Sequence, residues 1–208
     1  MCVNSNQSYF KDIKFFNSVF DLKSLPTDNC KEVAFAGRSN CGKSSLINAI
    51  TKKNLAITSK TPGRTKSINY FQLAEHKYLV DLPGYGYAKV PEQTKKFWAQ
   101  LLEQYLSIRR SLVGIVLIMD IRHPLKDFDR QMLFFCSLNN LPFHIVLNKT
   151  DKLTKNQINS TIKAVQLELH NIPNLSIQPF SALKLHGVKE LQDQIIKWLD
   201  NYTECIIQ

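Results

Sequence analysis

No apolar run in this chain is long enough to cross a lipid bilayer. The compact apolar runs, such as Leu112 to Met119, are about eight residues long, whereas a membrane-spanning helix needs roughly 20 residues. Polar residues also interrupt the N-terminal segment, so we expect neither a signal peptide nor a membrane anchor. These absences predict a protein that has no membrane among its partners.

The cysteines lack any pattern of pairing. Their number, five, is odd, and their spacing contains no CxxC and no other arrangement of metal ligands. Such cysteines are typical of reduced thiols in the cytoplasm rather than of a disulfide framework. With 208 residues, 44% of them hydrophobic, the chain can bury one substantial core. We therefore expect a single cytoplasmic domain, and we expect it to be a monomer.

Acidic residues are missing between Glu32 and Glu75, in a chain whose formal net charge is +10. The stretch between them carries seven basic residues, which are Arg38, Lys43, Lys52, Lys53, Lys60, Arg64 and Lys66. Clustered lysine and arginine are the usual electrostatic signature of binding to a phosphate backbone. Two interpretations stay open, because the same charges could serve the phosphates of one bound nucleotide or a longer nucleic acid.

Short apolar runs alternate with amphipathic stretches along the chain. The apolar runs predict six strands, which are Val33–Ala36, Asn69–Leu73, Lys77–Leu82, Leu112–Met119, Phe143–Leu147 and Leu175–Phe180. The amphipathic stretches predict helices at Lys43–Thr51, Gln93–Arg110, Asp127–Leu138, Lys155–Asn171 and Val188–Tyr202. This alternation predicts right-handed βαβ crossovers, except that the second and third strands are too close for a helix and should form an antiparallel hairpin.

The fold class predicted from these elements is α/β. We expect a three-layer α/β/α sandwich around a mixed, mostly parallel, six-stranded sheet. Residues 29–208 form this domain in our interpretation. Residues 1–28 lack sustained periodicity, so we interpret them as an N-terminal extension packed on the domain.

A phosphate-loop pattern, G-x-x-x-x-G-K-S, follows the first predicted strand and opens the first predicted helix. Its residues are Gly37, Arg38, Ser39, Asn40, Cys41, Gly42, Lys43 and Ser44. Backbone N–H groups of such a loop, together with the N-terminus of its helix, bind phosphate oxygens. Lys43 would reach the β and γ phosphates, and the Ser44 hydroxyl would ligate Mg²⁺.

A second pattern, NKxD, selects the base of the nucleotide. It consists of Asn148, Lys149, Thr150 and Asp151, which follow the strand Phe143–Leu147. The Asp151 carboxylate can accept hydrogen bonds from N1–H and from the exocyclic amine of guanine, whereas adenine offers neither group in that arrangement. After the last strand, Phe180, Ser181 and Ala182 should complete the base pocket. The sequence therefore predicts binding of GTP and GDP.

A third pattern, D-x-x-G, ends the predicted hairpin and is typical of GTPases. It consists of Asp81, Leu82, Pro83 and Gly84. We expect Asp81 to bind Mg²⁺ through water and the Gly84 N–H to sense the γ-phosphate. The segment Thr61 to Thr65 lies where a mobile first switch belongs. Thr65 is the candidate Mg²⁺ ligand there, with Thr61 and Thr58 as alternatives.

The residue after Gly84 is Tyr85, where many small GTPases place a glutamine that orients the attacking water. Hydrolysis should therefore be slow and should depend on electrostatic stabilisation by Lys43, Mg²⁺ and backbone donors. A monovalent cation or a partner could supply further positive charge. Asn40 is a candidate ligand for K⁺, although a side-chain hydrogen bond that stabilises the loop explains an asparagine there equally well.

These motifs resemble the EngB family of Era-like bacterial GTPases. The resemblance depends above all on the segment VDLPGYGYAKV at residues 80–90, and it extends through residues 35–48, 61–65, 119–125 and 180–181. It covers nearly the whole chain after about residue 10. Two departures are modest: Cys41 stands where we expect valine, and Asn148 stands where the family often has threonine. Neither change removes a nucleotide contact.

The resemblance implies a P-loop GTPase fold, with Mg²⁺ at Ser44 and Thr65. It adds residues of the first switch to the nucleotide-binding set, and these are Gly63, Arg64, Thr65, Lys66 and Ser67. The candidate catalytic residues are Lys43, Thr65 and Gly84.

The resemblance also implies a cytoplasmic GTPase that assists assembly of the large ribosomal subunit and is needed for normal cell division and septation. Its partners would be rRNA and ribosomal proteins of the subunit precursor. The candidate RNA contacts are Lys89, Lys95, Lys96 and the basic stretch before Glu75. The alternative function is that of a signalling or division-site GTPase that acts through protein partners without RNA.

Overall fold

The structure is a computed structural model that describes residues 6–56, 67–85, 100, 102–172 and 175–201. Its strands are β1 Lys14–Val19, β2 Lys31–Gly37, β3 Ile68–Ala74, β4 Lys77–Asp81, β5 Leu112–Asp120, β6 Phe143–Asn148 and β7 Ser176–Pro179. Its helices are α1 Asn6–Lys11, α2 Lys43–Thr51, the helical residues 102–108 (α3), α4 Asp127–Leu138, α5 Lys155–Glu168 and α6 Val188–Asn201. Short 3₁₀ turns lie at Leu22–Ser24 and Thr150–Lys152.

All seven strands form one sheet, in the order β1-β3-β4-β2-β5-β6-β7. Strand β2 pairs in parallel with β4 and β5, and β6 continues the parallel part between β5 and β7. Strands β3 and β4 form the predicted antiparallel hairpin. The prediction of a mixed, mostly parallel sheet is therefore confirmed.

Helices cover the sheet on both faces, as the three-layer prediction requires. One hydrophobic cluster includes side chains of α3, α4 and α5, and the other includes side chains of α1, α2 and α6. Nearly every residue of β5 is buried, which is why this strand has a continuous apolar sequence. A Cβ atom on Gly114 would come within 2.4 Å of the Trp198 ring, so glycine allows α6 to lie directly on β5.

The strand count of six was wrong, because β1 is a seventh strand. It lies in residues 1–28, which the sequence analysis assigned to an extension, and it pairs antiparallel with β3 at the edge of the sheet. Four of its six side chains are exposed, including Phe15 and Phe16, and only Val19 is buried. Because most of its side chains are exposed, this edge strand has no alternating apolar pattern to reveal it.

The helices largely follow their predicted bounds. Helices α2 and α4 begin and end as predicted, whereas α5 ends at Glu168 rather than Asn171. Helix α3 ends at Ile108 rather than at the predicted Arg110. Helix α5 begins at a capping box in which the Gln157 side chain accepts from the Thr154 N–H at 2.9 Å and the Thr154 hydroxyl accepts from the Gln157 N–H at 3.4 Å. In the described residues, no helix is long and apolar enough to span a bilayer.

A buried ionic cluster joins α3 to the start of β2. Glu32 is fully buried and accepts from Arg109 Nε at 2.9 Å and from the Tyr105 hydroxyl at 2.7 Å. The second carboxylate contact of Arg109 is made by its Nη2. Burial raises the pKa of Tyr105 well above its ordinary value, so the phenol stays protonated and can donate. The amino end of the parallel sheet is thus fixed to α3, the helix that follows the D-x-x-G segment.

We predict that Arg109→Met lowers the free energy of unfolding by about 3–5 kcal/mol, because it leaves the buried Glu32 carboxylate without its cation. Urea unfolding followed by circular dichroism measures this. The matched control is Arg130→Met, which removes an exposed arginine paired with Glu168 and should cost less than about 1 kcal/mol. Equal losses in the two variants would contradict the assignment.

Candidate nucleotide-binding site

The carboxyl ends of the parallel strands bring the three predicted motifs to one edge of the sheet. The phosphate loop follows β2, the D-x-x-G segment follows β4, and the NKxD segment follows β6. Open α/β sheets bind ligands at this edge. Direct contacts join the segments, so one ligand can touch all three.

The phosphate loop leads into the N-terminus of helix α2, whose backbone N–H groups can bind an anion. Helix α2 begins at Lys43, and its N-cap residue, Gly42, has no side chain that could occupy the first N–H groups. Gly42 has a φ of 96°, and a Cβ atom there would come within 2.4 Å of Asn148 Nδ2. Glycine is required because both the left-handed backbone and the close neighbour exclude a side chain. This loop fits phosphate groups.

Lys43 holds a buried positive charge at the start of α2. Its side chain is 9% exposed, and Nζ contacts the carboxylate of Asp81, which is 4% exposed. Ser44, the next residue, is half-buried. A hydroxyl and a carboxylate thus belong to the same end of the loop, and oxygen ligands are those that Mg²⁺ prefers.

A Mg²⁺ ion at this place would need oxygen ligands in addition to the carboxylate of Asp81. Within the described ranges, no cluster of three or more His, Cys, Asp or Glu could hold an ion. Ser44 and Asp81 offer a hydroxyl and a carboxylate, which are oxygen ligands of the kind that Mg²⁺ takes. The residues present therefore fit a Mg²⁺ ion that accompanies a bound nucleotide.

The D-x-x-G segment continues the pairing of β4 with β2 onto the phosphate loop. Leu82 N–H donates to the Phe35 carbonyl at 3.1 Å, and Tyr85 N–H donates to the Gly37 carbonyl at 3.3 Å. In return, the Tyr85 carbonyl accepts from Ser39 N–H at 2.9 Å. Gly84 lies between these anchors, where an added Cβ would be 3.5 Å from Ser39. Gly84 is thus held against the phosphate loop.

Tyr85 uses its side chain to contact α4. Its hydroxyl donates to Asp129 Oδ1 at 3.1 Å, and its ring lies 6.1 Å from that of Phe128. Asp129 is 1% exposed, and burial raises the pKa of Tyr85 well above its ordinary value. The hydroxyl is therefore committed to α4. The sequence offered no signal for this contact, because Asp129 there marks only the first turn of a helix.

Asn148 and Lys149 connect the base-reading segment to the phosphate loop. Asn148 Nδ2 donates to the Cys41 carbonyl at 2.9 Å, and Asn148 Oδ1 accepts from Ala182 N–H at 3.4 Å. Lys149 Nζ donates to the Asn40 carbonyl. Residues 148–149 therefore contact residues 40–41 directly. The two predicted motifs are close enough to share one nucleotide.

Asp151 is presented as an ionised acceptor. Ser181 Oγ donates to Asp151 Oδ1 at 2.7 Å, and this hydrogen bond lowers the pKa of the carboxyl group. Thr150 holds the segment in place, because its N–H and hydroxyl donate to the Phe180 carbonyl at 3.1 and 3.0 Å. Ser181 thus acts through its side chain, which contacts Asp151 directly. An ionised carboxylate in this place can accept two N–H groups of guanine.

Sequence reasoning assigned no role to Asp120 and Arg122, which lie beside this site. They line a cavity of about 300 Å³ together with Asn40 and Lys149. Burial raises the pKa of Asp120, but hydrogen bonds from Arg122 and Lys149 outweigh this effect and lower the pKa below its ordinary value. The only signal in the sequence was the family resemblance of residues 119–125.

Cys41 is a buried thiol within the phosphate loop. It is 3% exposed, and burial raises its pKa to about 11. A protonated, inaccessible thiol is inert as a nucleophile. The loop therefore uses the Cys41 backbone rather than its side chain.

Several predicted residues lie outside the described part of the chain. These are Thr58, Thr61, Gly63, Arg64, Thr65, Lys66, Lys89, Lys95 and Lys96. Ser67 is described and buried, and its hydroxyl donates to Asn69 on β3 at 3.0 Å. This hydrogen bond connects Ser67 to the sheet, and its role in nucleotide binding stays a prediction.

We predict that Asp151→Asn changes base preference from guanine to xanthine. The introduced amide would donate to the C2 carbonyl of xanthine, but it would leave a guanine N–H unpaired, so GDP affinity should fall on the order of 100-fold. Titration with fluorescent GDP and XDP measures the change. Asp127→Asn, which replaces an exposed carboxylate on α4, is the matched control. Retained preference for GDP would refute the role of Asp151.

Comparisons with known proteins identify relatives of this chain. A family model described as a 50S ribosome-binding GTPase matches residues 32–149. The probable GTP-binding protein EngB of Thiobacillus denitrificans is 52% identical over 186 residues, which cover 89% of this chain and 90% of that protein. The probable GTP-binding protein EngB of Neisseria meningitidis serogroup B is 49% identical over 195 residues, covering 92% and 93% of the two chains.

Solved structures show the same fold. The crystal structure of a probable GTP-binding protein EngB superposes with a TM-score of 0.67 at 22% identity, covering 81% of this chain and 98% of that one. Aquifex aeolicus Era bound to GDP·AlF₄⁻ has a TM-score of 0.65 at 24% identity, covering 81% and 56%. The prediction from sequence of a P-loop GTPase is confirmed. The chain belongs to the EngB family of GTP-binding proteins, and it is a GTPase.

Proposed function

We propose that this GTPase is a GTP-dependent switch in assembly of the large ribosomal subunit, and that it acts in the cytoplasm and supports normal cell division and septation. The observation that carries the proposal is the match of residues 32–149 to a family described as 50S ribosome-binding GTPases. The same range contains the basic stretch without acidic residues. A positively charged segment next to a nucleotide site suits a GTPase that binds rRNA.

The chemistry at the site would be electrostatic. Lys43 and the backbone donors of the phosphate loop would hold the phosphates, and the Gly84 N–H would contact the γ-phosphate. Mg²⁺, held through Ser44 and Thr65, supplies positive charge to the phosphate oxygens when it is bound. Hydrolysis is slow without a partner in this proposal, because the Tyr85 hydroxyl is committed to Asp129 and the side chain has no amide to orient water.

We propose that K⁺ supplies further positive charge at the phosphates, with Asn40 as its protein ligand. Asn40 is exposed and has a φ of 65°, and it is the Asn40 carbonyl that accepts from Lys149. The structure records no hydrogen bond of the Asn40 side chain to another described residue. The alternative, a side chain that stabilises the loop by a hydrogen bond, thus has no such contact to support it in the described part of the chain.

We predict that GTP turnover is about tenfold faster in KCl than in NaCl at equal ionic strength, which corresponds to about 1.4 kcal/mol of barrier. Asn40→Ala should lose this difference while it keeps its affinity for GDP. Phosphate release measured in both salts tests the idea. Equal rates in KCl and NaCl for the wild-type protein would exclude a role for K⁺.

We predict that the protein sediments with isolated large ribosomal subunits when a non-hydrolysable GTP analogue is bound, and less so with GDP. If lysines contact rRNA phosphates, the logarithm of affinity should fall linearly with the logarithm of salt concentration. Each of Lys89→Ala, Lys95→Ala and Lys96→Ala should make that slope shallower by about 0.7–0.9. Lys163→Ala, which removes an exposed lysine from α5, is the control.

The alternative function predicts a different result. A signalling or division-site GTPase that acts through protein partners would show neither sedimentation with the subunit nor a salt dependence that these lysines change. Association that is independent of salt would therefore favour the alternative. GTP binding itself would be the same in both cases, so nucleotide titration shows that each variant is folded.

A further inference from the structure

The ends of β5 and β6 place an acidic and a basic residue side by side. Asp120 lies opposite Asn148 in the parallel register, and Ile121 N–H donates to the Asn148 carbonyl at 2.9 Å. This register brings Lys149 Nζ to 2.9 Å from Asp120 Oδ2. The same Nζ donates to the Asn40 carbonyl in the phosphate loop. Lys149 therefore connects the end of β5 to the phosphate loop.

Arg122 holds the Asp120 carboxylate from the other side. Arg122 Nε donates to Oδ1 at 2.9 Å and Nη2 donates to Oδ2 at 2.6 Å, in the bidentate geometry that fixes a carboxylate most firmly. The Arg122 backbone N–H also donates to Oδ1, at 3.1 Å. Asp120 is the least exposed of the three side chains, with 15% of its side chain exposed, against 27% for Lys149 and 42% for Arg122. Both oxygens of Asp120 are thus oriented.

We propose that Asp120 is a positioning residue that holds Lys149 on the phosphate loop and so controls how long a guanine nucleotide stays bound. The base-reading and phosphate loops are joined by the side chains of Asn148 and Lys149. Release of the nucleotide requires these loops to separate, and a lysine held by Asp120 resists that separation. The inference rests on guanine-nucleotide binding and is independent of the ribosomal role.

The proposal separates residence time from base choice. Asp151 carries the carboxylate that reads guanine, whereas Asp120 contacts Lys149 and the Arg122 side chain. Loss of Asp120 should therefore speed the dissociation of GDP and of a GTP analogue alike. The preference for guanine over xanthine should not change, because Asp151 and Ser181 keep their contact.

The decisive experiment is a double-mutant cycle on nucleotide dissociation. Asp120→Asn should raise the dissociation rate of fluorescently labelled GDP roughly tenfold, a typical size for residues that are coupled by direct contact. Lys149→Met should raise it at least as much. Because Asp120 acts through Lys149, the double variant should match Lys149→Met within about twofold. Glu168→Gln, which removes a carboxylate from the exposed pair with Arg130, should leave the rate unchanged.

Three outcomes would overturn the proposal. They are an unchanged rate in Asp120→Asn, effects of the two substitutions that multiply in the double variant, and a change in the preference for GDP over XDP. A purely structural role for Asp120 gives the second outcome, because it would act whether or not Lys149 is present. Thermal unfolding in the absence of nucleotide shows whether each variant is folded.

Arg122→Met keeps the test possible if Asp120→Asn does not fold. Arg122 is exposed at the surface, so its loss should leave the fold intact. The Asp120 carboxylate would lose the bidentate contact that orients it toward Lys149. We expect GDP dissociation about threefold faster than in the wild-type protein, and no further acceleration when Lys149→Met is already present. A wild-type rate in Arg122→Met would contradict the proposal in that case.

Discussion

The register of the parallel strands is the constraint on which the nucleotide site depends. Strand β2 pairs with β4 so that Phe35 lies opposite Asp81, and β5 pairs with β6 so that Asp120 lies opposite Asn148. With this register, Asn148 reaches the Cys41 carbonyl. A slip of one residue would turn each side chain to the other face of the sheet. The contact between the two nucleotide-reading loops would then be lost.

The two ends of the sheet have different physical requirements. At the amino end, Glu32 and Arg109 form a buried pair in which each charge has a partner, and this pair fixes the chain at the end of α3. At the carboxyl end, the loops must present donors and charges to a ligand, so their polar groups cannot all be paired within the protein. Lys43 is an exception in this structure, because its side chain is buried and its Nζ contacts the Asp81 carboxylate at the edge of the site. Stability and ligand binding are therefore served by opposite ends of the same strands.

The sequence allowed the fold and the three motifs to be predicted because their signals are local. Helix α2 and the phosphate loop can be recognised within one short segment, since strand, glycines and lysine are contiguous. Strand β1 could not be recognised from the sequence, because its exposed side chains leave no apolar pattern. The contacts of Asp120 with Lys149 and of Tyr85 with Asp129 join distant segments. Such contacts follow from strand register and helix packing, which a single sequence does not display.

The phosphate loop is the common partner of the other motifs, and this explains how one site can respond to one ligand. Ser39 N–H donates to the Tyr85 carbonyl at 2.9 Å, while the Cys41 carbonyl accepts from Asn148 at 2.9 Å. These contacts use the backbone of the loop, so they do not depend on which side chains the loop carries. Cysteine at position 41 is therefore compatible with the site, because its thiol is buried and the contact with Asn148 is made by its carbonyl. The same reasoning explains why Gly42 cannot change, since its missing side chain is what lets Asn148 approach.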